Sequence, residues 1–215
     1  MKHALFLSAA AVAALSLAAC NKPASSTDTT SSTTTTTADT GTNQTGAGQA
    51  VDKAQDATGA AVGATSANTL GSHDTGAFVS NASQSDMYEI QAAQIAQQRS
   101  KNPQVKAFAK QMITDHTAMM NEMKPLVAAA GQKPADSLDQ RRQGFIDNLK
   151  SAKDADFDKT YADQQVAAHQ EALDLMQGYA KDGSDAGLKG GAGKAVPKIQ
   201  MHLDKIKGIQ ASMKS

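Results

Sequence analysis

Between Thr75 and Met213 large apolar side chains recur at helical spacing along four long stretches, and no stretch shows the period of two that a strand needs. The first, Thr75 to about Ser100, aligns Phe78, Ala82, Glu89, Ala93 and Ala96. The second carries Val105, Phe108, Met112, His116, Met119, Met123 and Leu126. The third, about Asp156 to Asp182, aligns Phe157, Tyr161, Gln165, His169, Ala172, Met176 and Tyr179. The fourth, Asp185 to Met213, aligns Leu188, Ala192, Ala195, Ile199, His202, Ile206, Ile209 and Met213. Each stripe must be buried against another, so the pattern predicts an all-α, antiparallel four-helix bundle.

Local signals place the ends. Asn102 followed by Pro103 is an N-cap with proline at the first helical position, where its missing N–H does no harm. Gly131 suits a left-handed C-terminal cap, and Gly183 ends the third long helix. Ser137 with Gln140 three residues later forms a capping-box pattern that predicts a short crossover helix to about Lys150, carrying Leu138, Phe145, Ile146 and Leu149. Pro125 and Pro197 are expected to kink the helices that contain them, and Gly187, Gly190, Gly191 and Gly193 to weaken the first half of the last one.

The bundle domain is expected over residues 73–215. Residues 20–72, rich in Ser, Thr, Ala and Gly and including Thr33 to Thr37 in a row, have too few large apolar residues to offset the entropy of ordering. They read as a disordered linker with a root-mean-square span of about 40 Å. Residues 1–19 begin with Lys2 as sole charge, continue as an apolar run from Ala4 to Ala19 and end in small residues, which is the make-up of a secretory signal. That run is short of the roughly 20 apolar residues a spanning helix requires.

Cys20 is the chain's only cysteine, and Leu17-Ala18-Ala19-Cys20 resembles the lipobox of bacterial lipoproteins. The resemblance implies that Cys20 receives a diacylglycerol, that the signal is cut before it, and that the new amine is acylated, with palmitate the expected kind of chain. Two or more acyl chains hold a protein stably on a bilayer, where one holds it only marginally. The membrane is thus the expected partner. Asn21 after the cysteine resembles the sorting signal for the outer membrane, with the domain facing the periplasm. Without a second cysteine no internal disulfide can form. Residues from Cys20 onward hold 20 basic and 21 acidic groups, which excludes a basic nucleic-acid footprint.

Phe78-Val79, Tyr88-Glu89, Asn102 through Ala109, Met112 through His116, Phe157 through Tyr161, His169 and the segment Pro197 to His202 resemble, in order, the bacterial family called domain of unknown function 4142. The resemblance implies a ferritin-like bundle with a crossover between its second and third long helices, in an exported or outer-membrane protein. It implies no reaction, because the family has no established activity.

Three of the four histidines beyond the signal, His116, His169 and His202, fall on apolar stripes, and Glu89 holds the matching place on the first helix. Each lies near the middle of its helix, so at about 1.5 Å per residue they agree in height within one or two turns. Imidazoles and a carboxylate at one level of a core suit a single transition-metal ion such as Zn, Cu or Fe, or else a small ligand. Asp86 and Gln165, one turn before Glu89 and His169, are candidates for outer hydrogen bonds to these ligands. The competing reading is a non-catalytic structural or stress-related envelope module whose buried polar groups only specify packing. A ferritin-type di-iron centre is disfavoured because no Glu-x-x-His occurs. The glycines near Leu188 lack the spacing and preceding strand of a phosphate loop. No catalytic triad or nucleophile elbow is present, and the chain reads as leaning away from an enzyme.

Overall fold

The computed structural model describes residues 73–213, which form five helices and no strand. The expected signal sequence, the linker and Cys20 lie outside the described residues. The helices are α1 (Thr75–Arg99), α2 (Pro103–Ala129), α3 (Gln140–Ser151), α4 (Asp154–Asp182) and α5 (Ala186–Ser212). In space α1 packs on α2 and α4, α5 packs on α2 and α4, and the short α3 lies across α1 and α4. This is the four-helix bundle that the stripes call for, with the crossover helix that the family resemblance implies.

Contacts between helix ends fix the directions. His73 and Thr75, at the start of α1, bond to the Asp182 carbonyl and the Tyr179 hydroxyl at the end of α4. Ser212, at the end of α5, bonds to Gln104 at the start of α2. Neighbouring long helices therefore run antiparallel, and α3 carries the chain back along the bundle so that α4 starts beside the end of α1. Arg99 secures that return. Its guanidinium donates to the carbonyls of Leu149, Lys150 and Ala152, pairs with Asp154 and lies over the Phe157 ring, so one side chain satisfies the end of α3 and the start of α4.

Capping follows the local signals with two corrections. Asn102 accepts from the Gln104 and Val105 amides, and Gly131 adopts φ 67°, the left-handed conformation a side chain resists. Asp139, not Ser137, caps α3, its carboxylate accepting from the Arg142 amide. The Ser137 hydroxyl instead bonds the Asp136 carboxylate. The third long helix starts at Asp154, earlier than Asp156, because acids in its first turn favour the helix N-terminus. Pro125 and Pro197 lie inside continuous α2 and α5. Each deprives the carbonyl four residues earlier of its donor, and those residues, Asn121 and Gly193, are exposed where water substitutes. Gly191 serves a close approach: a Cβ there would lie 2.7 Å from Met123 Sδ and 2.8 Å from Leu126 Cδ1.

The core unites Phe78, Tyr88, Phe108, Met112, Phe157, Tyr161, Tyr179, Leu188 and Ile199 with a run of alanines on α1 that lets its neighbours close in. Phe78 stacks on Tyr179 with ring centres 3.8 Å apart, closing one end, while Tyr88 donates to Gln164. No helix among the described residues is long and apolar enough to cross a membrane.

Candidate metal centre

The stripes of α2, α4 and α5 bring His116, His169 and His202 to one level of the core, where each is at most 1% exposed. One ring nitrogen from each lies within 4.8 Å of those of the other two. The ring centres form a nearly equilateral triangle with sides of 5.5, 5.6 and 5.7 Å. A zinc–nitrogen bond of about 2.0–2.1 Å puts each ring centre about 3.2 Å from an ion, so three rings sharing one ion sit about 5.2–5.5 Å apart. The triangle is already close to that size.

The outer nitrogen of each ring is committed. His116 Nδ1 donates to Asp86 Oδ1 at 2.7 Å, His169 Nδ1 to the Gln165 carbonyl at 2.9 Å, and His202 Nε2 to Asp115 Oδ2 at 2.8 Å. A carbonyl or carboxylate can only accept, so in the neutral ring these bonds fix the tautomer and leave a lone pair on the remaining nitrogen. Those nitrogens, His116 Nε2, His169 Nε2 and His202 Nδ1, are buried and find no protein partner. Each ring is thus oriented through one nitrogen and open at the other, the arrangement that ligating histidines show.

Glu89 is buried beside the triangle but stands at its edge. Its Oε1 is 3.6 Å from His169 Nδ1, the nitrogen already bonded to Gln165, and its Oε2 has no partner. Asp86 bonds His116 across on α2 and not a group within its own helix. Gln165 orients His169 through its backbone carbonyl. Its amide lies beside Glu89, close enough to favour the carboxylate weakly, yet neither amide atom makes a full hydrogen bond. Sequence reasoning missed Asp115. It precedes His116 in the chain and so lies about 100° round the helix from it, facing α5. The signal was available as an acid adjacent to a core histidine, at the edge of the same stripe.

Burial and charge divide the titrating groups. Burial raises Glu89 from 4.5 to about 7, with His116 and the Gln165 amide pulling the other way. Burial also disfavours charge on His116, but the hydrogen bond to Asp86 and the negative charges of Asp86, Glu89 and Asp115 outweigh it and raise its pKa. His169 is held well below its ordinary value by burial and by His116, and the Gln165 carbonyl offsets only part of this. Burial likewise lowers His202 to about 4, against the opposing hydrogen bond to Asp115. Asp115 would rise on burial, but its bonds from His202 and Gln111 bring it down. At neutral pH His169 and His202 are neutral and ready to ligate, while an incoming cation competes with a proton on His116.

Fold and site together define a ferritin-like helical bundle with a buried three-histidine cluster compatible with one transition-metal ion. The chain belongs to the family described as Domain of unknown function (DUF4142), which matches residues 60–209. Among solved structures it is similar to the crystal structure of a DUF305 fragment from Deinococcus radiodurans, at 14% identity and a TM-score of 0.56. That likeness covers 63% of this chain and 93% of the fragment. At this identity the likeness is one of fold. No curated protein matches the chain.

Proposed function

We propose that the protein is a cell-envelope lipoprotein, anchored through Cys20 to the outer membrane and facing the periplasm, whose bundle holds one transition-metal ion on His116, His169 and His202. The observation that carries the metal reading is the set of three oriented imidazoles, each with a buried, unpartnered inner nitrogen. Glu89, Asp86 and Asp115 border the histidines and supply negative charge against a buried divalent ion. Imidazole ligands suit Zn, Cu and Fe alike. Binding or storing the ion needs no reaction, and the proposal includes none.

The test is metal analysis of the purified protein together with thermal unfolding in each of the three ions, for wild type and His116→Ala. About one equivalent should bind to wild type and raise its stability by about 2.7 kcal/mol at a hundredfold excess over the dissociation constant, with no such rise in the variant. Absence of bound ion and of any shift would leave the structural envelope module as the function. The anchor is tested separately by labelled palmitate, which should enter the wild-type protein in cells and not Cys20→Ala.

A further inference from the structure

Beneath the second half of α2 lies a cavity of about 770 Å³, bounded by α1, α2, the segment after α2, α5 and one residue of α4. Its volume falls in the range of small-molecule sites. The inner wall is apolar, with Val79, Met119, Val127 and Met176 all buried. No aromatic ring lines it, so it offers nothing for a flat heterocycle to stack on. Four methionines do line it: Met119, Met120, Met123 and Met176. Unbranched thioether chains repack around an irregular apolar guest, which suits a flexible chain better than a rigid one.

The polar groups are asymmetric. Lys194 and Lys198 come from adjacent turns of α5, with Lys194 exposed and Lys198 half-buried, and neither makes a hydrogen bond or ion pair among the described residues. Lys124 adds a third ammonium. Against them stand Glu122, exposed on α2, and Asp86, whose carboxylate is already taken by His116. The available charge is positive and concentrated on the α5 side, where an anionic headgroup would meet it.

We propose that this cavity binds one single-chain fatty carboxylate, its headgroup on Lys194 and Lys198 and its chain along Met119, Met123, Val127 and Met176. The headgroup and chain contacts use neither a histidine nor a metal, although Asp86 in the cavity wall is also the partner of His116.

The probe is decanoate, titrated calorimetrically in the presence of a chelator into full-length protein carrying Cys20→Ser, prepared without detergent so that no other amphiphile fills the cavity. Decanoate should bind one to one, and decyltrimethylammonium and decanol, with the same chain, about tenfold more weakly. The double substitution Lys194→Gln/Lys198→Gln should weaken decanoate about tenfold. Ala195→Phe, which builds a ring into the cavity, should abolish binding. Circular dichroism and melting confirm that each variant folds, and the lysine substitutions lie at the rim, away from the core. Absence of saturable binding to folded wild type, equal binding of the cationic amphiphile, or decanoate affinity unchanged in the lysine variant would each overturn the proposal.

Discussion

Replacing Glu89 with glutamine should stabilise the metal-free protein at neutral and alkaline pH, and little at acidic pH. Burial raises this carboxyl from 4.5 to about 7. Its folded-state pKa lies above its unfolded value, so the stability it contributes is fully present below 4.5 and is lost as pH rises through about 7. At about 1.4 kcal/mol per pH unit, that interval corresponds to about 3.5 kcal/mol. Glutamine keeps the shape of the neutral acid and never ionises. In urea unfolding followed by circular dichroism with chelator present, Glu89→Gln should therefore exceed wild type by about 2–3 kcal/mol at pH 8 and by less than about 1 kcal/mol at pH 5. With saturating zinc the order should reverse at pH 8, because the buried cation now favours the charge that glutamine lacks. A stability difference of the same size at both pH values, with chelator, would refute the assignment of Glu89 as a proton-binding core carboxyl.

Two further substitutions probe how the core is held. Asp115→Ala removes the acceptor that fixes the His202 tautomer and should weaken metal binding about 10- to 100-fold in competition with a chromophoric chelator, with the helical spectrum unchanged. Arg99→Ala strips the donors from the carbonyls of Leu149, Lys150 and Ala152 and should cost about 1–3 kcal/mol in urea unfolding, with faster amide exchange in α3 than in α2.

The bundle and the depth of Glu89, His116, His169 and His202 were legible because they depend on one helix at a time. A residue on the apolar stripe of a long helix is buried whichever neighbour covers it. What each side chain bonds to was less legible, because it depends on the relative rotation and height of two helices. Asp86 reaches across to His116, and Asp115, one residue off the stripe of α2, reaches His202 on α5. Glu89 shares the level of the histidines, yet a rotation of α1 that no periodicity encodes turns it to the committed side of His169. The Ser137 pattern failed for a local reason: Asp139 offers a charged acceptor two residues on, and the helix starts there. The cavity had no sequence signal, since the same methionines read equally well as core filling.

A second buried polar cluster in the same molecule shows what packing alone requires. Arg142 and Glu171, both under 8% exposed, pair with each other, and Arg141 and Asp139 complete the set. There, tying α3 to α4, charge meets charge. The histidine triangle is built otherwise. Its outer nitrogens are bonded, and its inner nitrogens together with Glu89 Oε2 are not. A buried polar atom without a partner is costly, so side chains that place four such atoms together call for an occupant that pairs with them. A sequence that pairs its buried arginines fully gains nothing in packing from leaving three aligned imidazoles open. One cation bound between them would satisfy three of those four atoms in a single step.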